Sequence, residues 1–152
     1  MLALLAAAAL SACTSGPGLP QTVTLAPSAR LEPAPQGSVD ALIVHYAGVY
    51  DVPVDLVRRV VKRESNFNPK ARNRIYWGLM QIRHDTAQTM GYRGPASGLL
   101  DAGTNLKYAV KYLRGAYLVA GGNHDRAVGL YARGYYYDAK RKGLLKETGL
   151  RG

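Results

Sequence analysis

The sequence predicts an all-α single domain, and three observations carry this prediction. Apolar residues recur at helical spacing in several stretches from Val39 onward, whereas no stretch shows the alternation of a half-buried strand. Residues that cap or stop helices stand between these stretches. The length of 152 residues leaves room for one domain with a respectable core.

The first two helices are predicted from their start signals. Ser38 is placed to cap a helix that carries apolar and aromatic side chains on one face. Pro53, with an aspartate on either side of it, marks the start of a second helix, Val54 to Glu64, because acids favour the first turn. Residues 66–76 form a polar, basic loop.

The remaining helices are predicted mainly from their stops. A third helix runs from about Gly78 to Met90, and Gly91 is placed to end it. Asp101 precedes a long helix that the pair Gly121-Gly122 ends. A short helix over about 125–133 leads into a tyrosine-rich, basic tail.

Residues 1–13 resemble an export signal that ends in a lipidation site. The ten apolar residues at the start are too few for a membrane span and suit a signal-peptide core. Leu10-Ser11-Ala12-Cys13 resembles the bacterial lipobox, in which the cysteine is lipidated. No Lys or Arg precedes the apolar run, so we expect the true start to lie upstream. The alternative is an apolar head that packs on the domain.

The next 25 residues predict a tether between this anchor and the domain. Residues 14–38 are rich in Pro, Ser, Thr, Ala and Gly and lack periodic large apolar residues, which predicts a disordered, extended segment. The folded domain is then expected over 39–152. Thr14 after the lipidated cysteine favours the outer membrane of a two-membrane cell, with the domain facing the periplasm.

The formal charge of +10 predicts an anionic partner. Residues 1–38 contain one Arg and one Glu, so the surplus lies in the domain. Nucleic acid, an anionic membrane surface and an acidic cell-wall polymer would all fit, and the export signal disfavours nucleic acid. The three histidines share no metal-ligand spacing and no phosphate-binding glycine loop is present, so we expect no metal and no cofactor.

Glu64 is the candidate acid. Three valines lie seven, four and three positions before it, which puts the carboxyl on the apolar face of its helix. Desolvation there would raise its pKa and supply a general acid near neutral pH. The alternative is an exposed glutamate at a fraying helix end, paired with Lys62 or Arg63, and spacing alone does not exclude it.

Three motifs in order resemble one enzyme family. They are Glu64-Ser65-x-Phe67-Asn68, then Gly78-Leu79-Met80-Gln81, then a long helix carrying Asn105, Tyr108, Ala109, Tyr112 and Leu113. Together they resemble the soluble lytic transglycosylases, lysozyme-like enzymes that cut the bacterial cell-wall glycan. The resemblance covers about residues 42–137. It implies an all-α, lysozyme-like fold and peptidoglycan glycan strands as the partner.

The resemblance also implies a single-carboxyl mechanism. Glu64 would protonate the departing glycosidic oxygen and then deprotonate the C6 hydroxyl of the same N-acetylmuramic acid, which closes as a 1,6-anhydro sugar. Ordinary glycosidases pair two carboxylates. The next two acids along the chain, Asp85 and Asp101, are more simply interpreted as surface or capping residues.

Further roles follow from the same resemblance. Ser65 would orient Glu64, Gln81 would bind the sugar and Met80 would wall the cleft, although Met80 could equally fill the core. Gly78 would allow close backbone approach. We expect Phe67 to pack beneath the Glu64 turn.

The sequence departs from the family at one binding motif. Where Ala-Tyr-Asn-x-Gly is usual, this chain has Leu130-Tyr131-Ala132-Arg133-Gly134, so Tyr131 is kept and Ala132 replaces the asparagine. Either Arg133 or the following tyrosines would take over its contact. We expect one of Tyr136 and Tyr137 to line the cleft near Glu64, against the alternative of ordinary packing.

The sequence therefore predicts a lytic transglycosylase of the cell envelope, lipid-anchored at Cys13. One alternative is a catalytically impaired glycan-binding or scaffolding module, because the motif asparagine is missing. Another is a hydrolase like the goose-type lysozymes. The sequence leaves general wall remodelling and service to an envelope-spanning assembly equally open.

Overall fold

The structure, a computed structural model, describes residues 37–150. The predicted signal peptide, Cys13 and nearly all of the predicted tether lie outside these residues. The elements of the described part are α1 (Val39–Val49), α2 (Val54–Ser65), β1 (Arg72–Asn73), β2 (Tyr76–Trp77), β3 (Ile82–Arg83), α3 (His84–Thr89), a 3₁₀-helix (Ala96–Leu100), α4 (Ala102–Val119), α5 (His124–Arg133) and α6 (Tyr136–Arg141). None of the helices in this range is both long and apolar enough to cross a membrane.

The helix caps predicted from the sequence are present. The Ser38 hydroxyl accepts a hydrogen bond from the backbone N–H of Ala41 at 3.3 Å and starts α1. The Asp101 carboxylate accepts one from the N–H of Thr104 at 2.8 Å and starts α4. Each cap satisfies a backbone donor that the first helical turn leaves unpaired.

Helix α4 is the centre of the core. It packs against α1, α3 and α5, and the apolar face predicted for it is buried. At its end Gly121 and Gly122 both take positive φ angles, of 64° and 82°, which glycine adopts without steric cost. The side chain of Lys142 then donates to the Val119 carbonyl at 2.7 Å and satisfies part of the open helix end.

The helix predicted from Gly78 begins only at His84, so that prediction is wrong over residues 78–83. These residues belong to a small antiparallel sheet with strand order β1-β2-β3. Gly78 and Gln81 both have left-handed backbones, with φ of 68° and 48°, which no right-handed helix accommodates. The Gly78-Leu79-Met80-Gln81 motif is therefore a tight turn between β2 and β3.

The side chain of Asn105 on α4 explains why this turn replaces a helix. It is fully buried, and its oxygen accepts from the Met80 N–H at 2.9 Å. Its nitrogen donates to the carbonyls of Trp77, at 2.8 Å, and Leu99, at 2.9 Å. Tertiary hydrogen bonds thus override the local helical pattern.

The β1–β2 hairpin carries an exposed aromatic and basic surface. The guanidinium carbon of Arg72 lies 4.2 Å from the centroid of the Trp77 ring, within the range of a cation–π contact. Ile75, between the two strands, is about half exposed. The hairpin therefore stands out from the core while its base is held by Asn105.

Replacing Asn105 by alanine should destabilise the domain by about 3 kcal/mol or more, because three buried backbone groups lose their partner and each unpaired group costs about 1–3 kcal/mol. Urea unfolding followed by circular dichroism measures this loss. Asn73→Ala, at an exposed position on β1, is the matched control and should stay within about 0.5 kcal/mol of the wild type. A loss for Asn105→Ala no larger than that of the control would contradict the role given to Asn105.

Candidate active site

A cleft of about 540 Å³ opens beside the small sheet and the end of α5. One wall is formed by the turn and the start of α3, and the other by α4 and the segment after α5. Its lining mixes aromatic, charged and small residues, among them Tyr76, Gln81, Asp85, Tyr112, Tyr131 and Arg133. Such a polar cleft with an aromatic wall suits a carbohydrate better than an apolar ligand.

Glu64 lies at the C-terminal end of α2, and its side chain is 23% exposed. The preceding valines on the same helix face are buried, so the predicted placement on the apolar face is confirmed. Burial raises the pKa of the Glu64 carboxyl, and the charge of Arg63 opposes this shift. The Arg63 Nε lies 3.6 Å from the carboxylate, too far for a strong charge-assisted hydrogen bond. Burial is the larger of the two effects, so the shift in pKa has the direction expected from the sequence.

Tyr131 connects Glu64 to the cleft. Its ring lines the cleft, and its hydroxyl donates to the Met80 carbonyl at 2.8 Å. Burial raises the pKa of this hydroxyl well above its usual value, and the negative charge of Glu64 raises it further. The charge of Glu64 therefore acts on the buried hydroxyl of a cleft residue, whereas Glu64 itself is not among the residues that line the cleft.

Gln81 lines the cleft with its amide nitrogen already engaged. This nitrogen donates to the carbonyls of Ala71, at 3.1 Å, and Gly78, at 2.8 Å. These bonds hold the turn closed against the strand before it. Any sugar contact of Gln81 would consequently use its amide oxygen.

Met80 and Gly78 support the cleft rather than line it. Met80 is fully buried, so the prediction that it walls the cleft is wrong and its alternative, core filling, is correct. The turn directs Met80 inward because its N–H and its carbonyl are bound by Asn105 and Tyr131. Gly78 does allow close approach, but the groups that approach it are the protein's own Leu99 carbonyl and Asn105 amide. A side chain at position 78 would clash with both.

Ser65 and Phe67, which follow Glu64 in the chain, both differ from expectation. The Ser65 hydroxyl donates to the Val61 carbonyl at 3.2 Å, one turn back, instead of to Glu64. This bond supports the last turn of α2, which carries Glu64. Phe67 is 38% exposed and has a left-handed backbone (φ 63°), so the prediction that it packs beneath the Glu64 turn is wrong.

The three consecutive tyrosines divide between core and surface. Tyr135 is buried, and its hydroxyl donates to the Tyr112 carbonyl at 2.8 Å. Tyr136 and Tyr137 start α6 and are 47% and 73% exposed. They line a second hollow of about 300 Å³, whose lining shares Tyr112 and Arg133 with the cleft. The hollow is therefore adjacent to the cleft, and neither exposed tyrosine is part of the wall that Tyr131 forms.

Arg83 and Asp85 are cleft residues that the sequence prediction missed. They form a two-point ion pair, with Nε to Oδ1 at 3.0 Å and Nη2 to Oδ2 at 2.5 Å. The hydrogen bond from Arg83 lowers the pKa of Asp85, as does the N–H of Thr86. Arg83 is the last residue of β3 and Asp85 lies in the first turn of α3, so the junction between strand and helix brings the two charges together. The prediction of a helix there concealed this junction.

The fold and the cleft define a small α-helical domain in which the charge of the half-buried Glu64 acts on Tyr131, a residue of the cleft. A family model, the transglycosylase SLT domain, matches residues 41–148. The match spans most of the chain, so the chain belongs to this family, and the predicted α-rich, lysozyme-like fold is confirmed. No solved structure matches the chain. Members of the family act on cell-wall peptidoglycan as lytic transglycosylases, which sets the polymer and the cell envelope as the general context.

Metal ligation has no candidate within the described range. Among residues 37–150, no three His, Cys, Asp or Glu side chains come together as a metal site would require.

The raised pKa of Glu64 predicts a pH-dependent effect of Glu64→Gln on stability. A carboxyl whose pKa is higher in the folded state binds more protons there, so its charged form costs stability as pH rises from the unfolded value of about 4.3 through the folded pKa. The variant should gain stability relative to the wild type over that window and keep the gain at neutral pH. Chemical unfolding between pH 4 and 8 measures the difference, with Glu147→Gln, at an exposed position, as the charge control. A difference that shrinks with rising pH would contradict it.

Proposed function

We propose that this protein is a peptidoglycan lytic transglycosylase that cleaves the bond between N-acetylmuramic acid and N-acetylglucosamine and leaves 1,6-anhydro-muramoyl ends. The observation that carries the proposal is the half-buried Glu64, whose pKa is raised by burial and whose charge acts on Tyr131, a residue of the cleft. The first step needs a carboxyl that holds its proton more firmly than an ordinary glutamate does, and burial shifts the pKa of Glu64 in that direction.

In the proposed reaction Glu64 acts twice. Its proton passes to the glycosidic oxygen as the C1–O bond breaks, and the carboxylate then takes the proton of the C6 hydroxyl as that oxygen bonds to C1. No water is consumed, and Glu64 ends protonated as it began. The acetamido group of the sugar would steady the positive charge that develops at C1.

The proposal assigns no catalytic role to a second carboxylate. Asp85, at the cleft, is held by Arg83 and by the N–H of Thr86, with a lowered pKa. Asp101 caps α4. Both carboxylates have structural partners, which favours the single-acid route over the paired-carboxylate mechanism of ordinary glycosidases.

The glycan would bind along the cleft and the hollow next to it. We assign sugar contacts to the amide oxygen of Gln81 and to Tyr131, with Tyr136 and Tyr137 as stacking surfaces further along. Ser65 is a positioning residue, which acts through the last turn of α2. Alanine at both exposed tyrosines should raise KM, whereas phenylalanine should preserve it.

Product analysis with Glu64→Gln tests the function. Wild-type protein incubated with intact peptidoglycan should release anhydro-ended fragments, resolved by liquid chromatography and mass spectrometry. The variant should be slower by at least about 10²-fold, the usual contribution of a general acid. Glu147→Gln removes an exposed carboxylate and should leave the rate unchanged.

Two other outcomes would replace the proposal. Fragments with reducing ends would identify a lysozyme-type hydrolase. Binding to the wall without any fragments would identify a glycan-binding module, the second candidate, which Ala132 favours because its methyl group cannot replace the amide contact of the family motif.

The N-terminal residues suggest where the enzyme works. We propose that residues 1–13 are an export signal ending in a lipid-modified Cys13, that 14–38 tether the domain and that 39–152 form the catalytic domain at the outer membrane. Mass spectrometry of membrane-extracted protein should show a chain that begins at an acylated Cys13. Recovery of an unacylated Cys13 would contradict the anchor, and Cys13→Ala should release the domain from the membrane fraction.

A further inference from the structure

Arg133 stands where the cleft and the adjacent hollow meet. It is the last residue of α5, directly after Ala132, and it lines both spaces. Its side chain is 63% exposed, and its Nη2 lies 3.1 Å from Oδ2 of Asp138. A cation therefore borders the cleft directly after Ala132, the position at which this chain lacks the asparagine of the family motif.

The ion pair that holds Arg133 can open at low cost. Asp138 is only 13% exposed, so its carboxylate would be destabilised without a partner. Its other oxygen, Oδ1, is bound by Nη2 of Arg141 at 2.5 Å. If Arg133 turned to a ligand, Asp138 would keep Arg141, and no carboxylate would be left alone.

Arg83, the other arginine that lines the cleft, is already engaged in an ion pair. Arg83 makes two hydrogen bonds to Asp85, and that carboxylate also accepts the N–H of Thr86 at 2.6 Å. Withdrawing Arg83 would break both bonds and disturb the start of α3. Arg133, with a single contact to a shared partner, is the cleft cation that can bind an anion.

The substrate of the proposed function supplies such an anion. N-acetylmuramic acid carries a peptide stem on its lactyl group, and the stem bears free carboxylates. The planar fork of a guanidinium binds a carboxylate through two parallel hydrogen bonds. We infer that Arg133 recognises a stem carboxylate, so that the enzyme prefers glycan whose stems carry free carboxylates over glycan whose stem carboxylates are amidated. This inference rests on the proposed function for its substrate.

The test compares two forms of one polymer with the full-length protein. Values of kcat/KM are measured on glycan strands with free stem carboxylates and on the same strands after these carboxylates have been amidated, because amidase digestion would leave a free lactyl carboxylate on each N-acetylmuramic acid. The wild type should prefer the strands with free carboxylates, and Arg133→Gln should lower that preference roughly tenfold, as expected for the loss of hydrogen bonds to a charged group. Arg133→Lys, which keeps the charge without the fork, should fall between them.

Arg126→Gln is the control, because Arg126 is exposed on the same helix and is not part of either lining. It should keep the wild-type preference. Equal preferences in the wild type and Arg133→Gln would overturn the inference. Since Arg133 is exposed, the variant should fold, and its circular dichroism spectrum verifies this.

A binding measurement separates this inference from the proposed function. Calorimetry with Glu64→Gln compares a soluble muropeptide that has free stem carboxylates with its fully amidated counterpart. Tighter binding of the free acid, lost when Arg133→Gln is added, supports the inference even if no anhydro product is ever formed. Equal affinity for the acid and the amide overturns it, whatever the enzyme's products are.

Discussion

The buried side chain of Asn105 is the interaction on which the cleft depends. It binds the turn at the Met80 N–H, while Tyr131 binds the carbonyl of the same residue. One residue of the turn is therefore held between α4 on one side and α5 on the other. Because Gly78 sits against the Asn105 amide, the turn has little freedom to move without disturbing the core. The turn that forms one wall of the cleft is therefore anchored directly in the hydrophobic core.

The carboxyl groups of Glu64 and Asp85 have opposite electrostatic environments. Around Glu64 burial dominates and the pKa rises, whereas around Asp85 the hydrogen bond from Arg83 dominates and the pKa falls. At a given pH the protonated form is therefore more populated at Glu64 than at Asp85. This separation of the two pKa values supports the acid role proposed for Glu64. The difference comes from partners: Asp85 has a two-point guanidinium contact, and Glu64 has only a long contact to Arg63.

The parts of the molecule predicted correctly from sequence are those set by local chemistry. Ser38 and Asp101 cap the helices they were expected to start, and the face of α2 that carries Glu64 is the apolar one. The errors lie where distant contacts decide. The sequence predicted a helix from Gly78, but Asn105, 27 positions later, stabilises a turn there. Met80 was assigned to the cleft from the family resemblance, with core filling as the alternative, and the turn directs it into the core. Residue type alone also could not separate buried Tyr135 from its exposed neighbours.

Trp77 is the chain's only tryptophan, and its place in the fold gives it a use as an optical reporter. Its backbone carbonyl is held by Asn105 at the base of the hairpin, and its indole lies under the guanidinium of Arg72. The neighbouring Tyr76 lines the cleft. The tryptophan fluorescence of the protein thus originates from one indole, next to a residue that lines the cleft. A ligand that displaces Arg72 or shifts the hairpin would change this emission. Rearrangements confined to the far ends of the helices would leave it unchanged.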